Sequence, residues 1–309
     1  MRATGWAACA ATLLVAQLAI AIPAAAADSV DEIHYSYGNS AGSVVVYWRG
    51  AATTLDYGTT TGYGHSVTAT VSPITPVDIA GPFMRATITG LAANTPYHYR
   101  IGSSGLDHIL TAAPTGSFSY VDIGDTGTTA CDPWMAQQQA LVAAQSPAFV
   151  THGGDISYAN ECGVPAVHQY FQDQMAWSTS AAFLPAWGNH EYGPPDDESP
   201  PGTPRDTLAN YKGRVEMPNA KTSSADIASK TNEPGCSGPK PGNNCMGDDW
   251  GWFRAGGVLF ISYPEPWYHA YTDWEPQAAA LMATAQSDPT VDFIVTYGHR
   301  PPVSSDTAD

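Results

Sequence analysis

The chain has 309 residues, enough for two domains of ordinary size, and its formal net charge at pH 7 is −17. Its 12 lysines and arginines are scattered, so it offers no basic patch to neutralise the phosphates of a nucleic acid polymer. The composition therefore argues against nucleic acid as a partner. It makes no prediction about oligomeric state.

The first 27 residues are typical of a cleavable secretory signal peptide. Arg2 precedes an apolar run from Trp6 to Ile22, which is followed by Pro23 and four alanines. The run is shorter than the roughly 20 residues of a membrane-spanning helix. We therefore expect a secreted, extracellular protein without stable membrane insertion. An uncleaved anchor is the alternative interpretation.

The cysteines predict disulfides. The chain has five, of which Cys9 lies in the signal peptide, leaving Cys131, Cys162, Cys236 and Cys245. An even number in an exported chain indicates two bridges, and four cysteines allow three pairings. We favour the pairs 131–162 and 236–245, because each pair lies beside its own loop. A cysteine-based zinc site is disfavoured, since no Cys-x-x-Cys spacing occurs.

Residues 28–114 have the pattern of a small all-β sandwich. Short alternating segments such as SVVVYWRG, RATITGL and YHYRIG are separated by turn residues. The run TGLAANTPYHYRI resembles the tyrosine-corner segment of fibronectin type III-like domains, with Tyr97 and Tyr99 in matching places and Trp48 as the core tryptophan. We therefore expect a fibronectin type III-like first domain.

Residues 115–309 change to an α/β pattern. Apolar runs predict strands at FSYVDI, AFVTH, AFLPAW, GVLFIS and VDFIVTY, and residues 133–145 and 276–286 have helical spacing. The polar stretch between Gly193 and Gly247 has almost no apolar periodicity and predicts a long irregular insertion. In such a domain the chemistry is expected at the carboxyl ends of the strands.

Polar residues follow glycine directly at four of these strand ends. The blocks are DIGDTG, GGDISYAN, AWGNHEYG and VTYGHRP. Taken singly, an aspartate after glycine is more often a turn or cap residue than a ligand. Four such ends are harder to dismiss, because successive strand ends line a common crevice. They predict a shared polar site.

In this order, the blocks resemble the calcineurin-like metallophosphoesterases and, within them, the purple acid phosphatases. Tyr158, three residues after Asp155, narrows the likeness to the purple subgroup, in which this tyrosine binds a ferric ion. The likeness extends over nearly all of residues 33–302. It implies an α/β metallophosphoesterase sandwich, incomplete at its C-terminus, behind the all-β domain.

The resemblance also implies a metal centre of two ions. Asp125 and Tyr158 would bind Fe(III), Asp155 would bridge both ions, and Asn189 and His299 would bind a second divalent metal (Zn, Mn or Fe). Ligand chemistry agrees, since Fe(III) prefers anionic oxygen, whereas an amide oxygen with an imidazole suits the divalent ion.

The implied activity is that of a secreted acid phosphatase, in which a metal-bound hydroxide attacks a phosphomonoester. His190 would face the substrate as the catalytic residue. His152 is expected to support the metal ligands rather than to bind a metal ion itself. Glu191 is expected either to assist His190 or to cap the next turn, and Asn160 to be only a turn residue.

The likeness breaks near the C-terminus. The family has two further histidines in a Gly-His-x-His block, but this sequence has no histidine after His299. One hypothesis is an incomplete copy of a catalytic parent, with exposed core residues and edge strands. A second is an inactive, metal-poor binding module, and a third keeps catalysis but with phosphodiesters or nucleotides as substrates.

Overall fold

The computed structural model describes residues 30–191, 207–224, 247–265 and 271–301. The predicted signal peptide, Cys236 and Cys245, and most of the predicted insertion lie outside these residues. Among the helices in the described ranges, none is both long enough and apolar enough to cross a bilayer.

The first part of the fold is all β. Its strands are β1 (Asp31–Tyr37), β2 (Val44–Arg49), β3 (Thr54–Gly58), β4 (His65–Thr68), β5 (Thr70–Val71), β6 (Phe83–Ile88), β7 (Tyr97–Ile101) and β8 (His108–Leu110). They form two antiparallel sheets with the orders β1-β2-β6-β5 and β4-β3-β7-β8. Alternating residues of both sheets form the core, including Val46, Leu55 and Ile88. The predicted all-β domain is confirmed.

The tyrosine-corner segment has the contact that gives it its name. The Tyr97 hydroxyl accepts the backbone N–H of Ala92 at 3.1 Å. Tyr99 and Trp48 are buried in the core, and the Trp48 indole donates to the carbonyl of Ala52 at 3.2 Å. These contacts join the loop before β7 to the sandwich.

The second part contains two further sheets. Strands β9 (Tyr120–Ile123), β10 (Phe149–His152) and β11 (Ala182–Pro185) are parallel, in the order β11-β10-β9. Strand β13 (Val258–Ser262) pairs antiparallel with β12 (Trp252–Ala255) and parallel with β14 (Phe293–Tyr297). The two sheets meet through aromatic rings. The Phe149 ring lies 5.3 Å from that of Phe253 and 5.2 Å from that of Phe260.

The helices lie mainly between the strands of the second part. They are α1 (Met135–Ala144), α2 (Ala159–Cys162), α3 (Pro165–Asp173), α4 (Met175–Ser178), α5 (Leu208–Lys212) and α6 (Tyr271–Gln286). Helices α1 and α6 confirm the two predicted helices. The sequence predicts that α6 starts at Pro276, since proline is common in the first turn of a helix. The helix instead begins at Tyr271, and Pro276 lies inside it.

Part of the predicted irregular insertion is instead buried structure. Leu208, Tyr211 and Val215 are each fully buried. Their spacing of three and four residues places them on one face of α5 and the turn that follows it. The Thr207 hydroxyl caps the helix by accepting the N–H of Ala209 at 3.4 Å. For residues 207–224, the prediction of an insertion without apolar periodicity is therefore wrong.

The predicted disulfide between Cys131 and Cys162 is confirmed, with a Cα–Cα distance of 5.7 Å. Cys131 lies in the segment after β9, and Cys162 ends α2, which follows β10. The bridge therefore ties together the two loops that carry Asp125 and Asp155.

In the described residues, each sheet of the second part has two edge strands. Strands β9 and β11 pair only with β10, and strands β12 and β14 pair only with β13. Nearby aromatic side chains are exposed, Tyr120 by 39% and Phe293 by 67%.

A buried arginine joins the two parts. The Arg214 guanidinium contacts the Glu32 carboxylate at 2.6 and 3.1 Å and the Asp78 carboxylate at 2.9 and 2.8 Å. His168 also contacts Glu32. Burial alone would raise the pKa of Glu32, but the charge of Arg214 and its hydrogen bonds hold that pKa below its usual value. Glu32 therefore stays ionised between the two parts.

We predict that Arg214→Met destabilises the protein by about 3–5 kcal/mol, because it leaves the carboxylates of Glu32 and Asp78 buried without their cation. Urea denaturation measures the loss. The matched control is Arg254→Met, which removes a half-exposed pair with Asp288 and should change stability little. Equal effects of the two substitutions would contradict the role assigned to Arg214.

Candidate metal centre

The loops that follow β9, β10, β11 and β14 meet at one edge of the second part. A carboxylate oxygen of Asp125, one of Asp155 and a ring nitrogen of His299 all lie within 4.8 Å of one another. Within this cluster, Nε2 of His299 lies 3.1 Å from Oδ2 of Asp155. The structure thus brings three of the predicted ligands together.

The other two predicted ligands border this cluster. The Tyr158 hydroxyl donates to Oδ1 of Asp125 at 2.9 Å. Oδ1 of Asn189 lies 3.0 Å from Nε2 of His299. The donor set therefore contains two carboxylates, a phenol, an amide oxygen and an imidazole. This chemistry fits a hard trivalent ion beside a divalent one.

Three of the five residues have a strained backbone. Asp125, Asp155 and Tyr158 have φ values of 50°, 52° and 51°, in the left-handed region that side chains other than glycine seldom adopt. Such conformations cost roughly 1–3 kcal/mol each and persist only where their surroundings hold them. The strain therefore lies at the residues that present the donor atoms.

Glycines permit the loops after β10 and β11 to touch. A Cβ atom on Gly188 would lie 2.1 Å from Oδ1 of Asp155, and one on Gly154 would lie 2.4 Å from the nitrogen of Gly188. Gly154 also has a φ of 102°. Neither position accepts a side chain, which explains why glycine precedes the polar residue in both blocks.

Backbone hydrogen bonds join the loops after β9 and β10. The N–H groups of residues 125, 126 and 127 donate to the carbonyls of residues 154, 155 and 156, at 3.1, 3.1 and 3.0 Å. These three bonds join the two loops directly beyond the ends of the strands. It fixes the spacing between Asp125 and Asp155.

His152 lies buried behind these loops. Its Nδ1 accepts the N–H of Gly154 at 3.1 Å, so the proton is on Nε2, which donates to the Thr126 hydroxyl at 2.9 Å. That hydroxyl donates to the carbonyl of Ile156 at 2.7 Å. Burial lowers the pKa of His152 to about 3. It is a neutral residue that supports both ligand loops.

His190 lies at the edge of the cluster. Its backbone N–H donates to Oδ1 of Asp155 at 3.0 Å, and its Nε2 lies 3.6 Å from Oδ2 of the same residue. Its Nδ1 donates to Oδ1 of Asn160 at 2.6 Å, since an amide oxygen only accepts. The expectation that Asn160 is only a turn residue is therefore wrong. It is buried in α2 and orients the His190 ring.

Glu191 is fully buried and contacts backbone rather than solvent. Its carboxylate accepts the N–H groups of Asp155, Ile156 and Gly188 at 2.9, 2.7 and 2.7 Å. Of the two roles expected from the sequence, capping is the one these contacts support. The cap joins two loops rather than closing one turn.

Arg300 and Glu265 also support a predicted ligand, and neither was predicted from the sequence. Arg300 donates through Nη2 to Oδ1 of Asn189 at 3.1 Å and through Nε to the buried carboxylate of Glu265 at 2.9 Å. The position of Arg300 directly after His299 was the available signal. Glu265 lies in no recognisable motif.

The charges of the cluster are coupled. Burial would raise the pKa of Asp155, but the hydrogen bond from His299 and its charge lower it. Burial would likewise lower the pKa of His299, but Asp155 and the neighbouring carboxylates raise it. The His299 ring thus favours its protonated, cationic form beside the ionised carboxylate of Asp155. A metal ion binding there would displace protons.

Comparisons with known proteins find two similarities that bear on this fold. Residues 30–119 match the family model of the purple acid phosphatase N-terminal domain. The structure is similar to a purple acid phosphatase isolated from yellow lupin (Lupinus luteus) seeds, with a TM-score of 0.55 and 13% identity. The match covers 88% of this chain and 51% of the lupin chain. The resemblance predicted from the motifs is confirmed.

At this identity the lupin match is evidence of fold alone, and the chain spans about half the length of the lupin protein. A candidate alpha amylase from Salmonella typhimurium matches over 52% of this chain and 34% of its own, with 10% identity. Its TM-score of 0.17 carries no structural conclusion. Among curated proteins, none matches this sequence.

We predict a pH-dependent stability term from His152. Its pKa is 6.5 unfolded and about 3 folded, so between these values the unfolded chain binds more protons. The free energy of unfolding should fall on acidification through this window, by up to about 1.4 kcal/mol per pH unit from this group. Urea denaturation at pH 6.5 and 4.5 should give a shallower pH slope for His152→Asn. An unchanged slope would contradict the assignment.

Proposed function

We propose that this chain carries the metal centre of a secreted acid phosphatase that hydrolyses phosphomonoesters with Fe(III) and a second divalent ion. The observation that supports it most is the convergence of the five predicted donors from four separate strand ends. The set concentrates anionic oxygen and imidazole in one partly buried place, which is the donor chemistry that a metal centre needs.

In this proposal Asp125 and Tyr158 hold Fe(III), Asn189 and His299 hold the divalent ion, and Asp155 lies between the two. The bound ions would supply Lewis acidity and a water molecule of lowered pKa. They would also attract the phosphate ester in a protein that has few lysines and arginines.

His190 is the residue we assign to the substrate. Asn160 holds its Nδ1–H, so the Nε2 atom is the one left to act at the site. In the imidazolium form, Nε2–H can donate a hydrogen bond to the phosphoryl group and a proton to the leaving oxygen. Its backbone bond to Asp155 keeps the ring beside the metal ligands.

The disulfide between Cys131 and Cys162 supports secretion, because such bridges persist in oxidising compartments. The predicted signal peptide has the same implication. Extracellular phosphate esters are therefore the substrate class that the proposal expects.

An inactive binding module is the second candidate. The same metal site in a catalytic chain could also act on phosphodiesters or nucleotides, and relative rates on a monoester and a diester distinguish these substrate classes.

We predict that the metal-loaded chain hydrolyses p-nitrophenyl phosphate faster than bis(p-nitrophenyl) phosphate. His190→Ala should lower kcat by about 10²–10⁴-fold and leave the metal content unchanged, because its side chain is not a predicted ligand. His65→Ala, an exposed histidine on β4, is the control and should retain full activity.

A chain that takes up little metal and turns over neither ester would favour the binding module, and faster hydrolysis of the diester would change the substrate class. Full activity of His190→Ala would remove the role assigned to that residue.

A further inference from the structure

Glu191 stands out because all of its described backbone partners belong to loops that carry predicted metal ligands. Asp155 is itself one of these ligands, Ile156 follows it, and Gly188 directly precedes Asn189. The Glu191 carboxylate thus lies behind the donor atoms and touches the peptide groups that orient them.

The bond from the Asp155 N–H to Glu191 gives a partner to a backbone group that lies outside the strand. With a φ of 52°, Asp155 is outside the regular strand conformation, and its buried N–H cannot continue the parallel ladder of β10. Oε2 of Glu191 accepts that N–H at 2.9 Å. A charged acceptor in a buried place makes such a bond stronger than a neutral one would be. It helps to hold a left-handed conformation that the aspartate would otherwise leave.

The same oxygen also joins two loops. Oε2 accepts the N–H of Gly188 at 2.7 Å as well as that of Asp155. One atom therefore sets the distance between the loop of Asp155 and the loop of Asn189, at the point where Gly154 and Gly188 have no room for a side chain. Oε1 adds the bond to Ile156 at 2.7 Å, which limits rotation of the carboxylate.

We propose that Glu191 is a positioning residue for the metal centre, which holds Asp155 in its left-handed conformation and fixes its separation from Asn189. The proposal rests on the proposed function, because it assumes that these two residues bind metal. Glu191 itself touches neither ion nor substrate in this account. Its effect on the ions is exerted through the two backbones.

The sharpest test compares Glu191→Gln with Glu32→Gln in the otherwise intact chain. Both glutamates are fully buried and accept several hydrogen bonds, but Glu32 lies in the junction of the two parts. Glutamine keeps the size of the side chain and one accepting oxygen, while its NH₂ group cannot accept. Each variant thus removes one accepting carboxylate oxygen from a buried, hydrogen-bonded site, and only one of the two sites lies beside the predicted ligands.

We expect Glu191→Gln to weaken Zn²⁺ binding by about 10–100-fold in isothermal titration, the range usual for residues that support metal ligands. Glu32→Gln should bind Zn²⁺ as the unsubstituted chain does, even where its unfolding midpoint falls as far. In the metal-free proteins, hydrogen exchange at the amides of residues 155, 156 and 188 should accelerate in Glu191→Gln relative to Glu32→Gln.

Unchanged Zn²⁺ affinity in Glu191→Gln, or an equal loss in Glu32→Gln, would overturn the positioning role. Unaltered exchange at the three amides would overturn it as well. If the unsubstituted chain binds no Zn²⁺, the proposed function fails instead, and the exchange measurement on metal-free protein still decides whether Glu191 holds these backbones.

Discussion

The contact between the loops after β10 and β11 is the constraint on which the rest of the site depends. Gly154 and Gly188 lie against each other so closely that neither has space for a Cβ atom. This approach places the Asp155 carboxylate under the N–H of His190 and within reach of His299. A wider spacing would leave the donors too far apart to share a small cluster of ions.

The strained backbones near this contact are held by hydrogen bonds from neighbouring loops. Three predicted ligands have left-handed backbones, and each loop that bears them is held by partners from another loop. His152 supports the site from the strand side and Glu191 from the opposite loop. Both side chains are buried, so water does not compete for their hydrogen bonds. This pre-organisation places the donor atoms before any ion binds, as metal sites require.

The sequence could predict those features whose causes are local. Glycine directly before a polar residue at a strand end has a local steric cause. This pattern identified Asp125, Asp155, Asn189 and His299 in the sequence. The role of Asn160 depends on α2 folding back against His190. The pair of Glu32 and Arg214 joins residues 182 positions apart, and no periodicity indicates such a contact. The burial of α5 was missed because its apolar face is short and surrounded by polar sequence.

Five donors from four strand ends should together hold two metal ions. The number of metal ions per purified chain can be measured by elemental analysis, with a visible absorption spectrum of the same sample. We expect two ions per chain, one of them iron, and a tyrosinate-to-iron band that Tyr158→Phe abolishes. One ion or none, without the band, would show that the five donors do not form a two-metal centre.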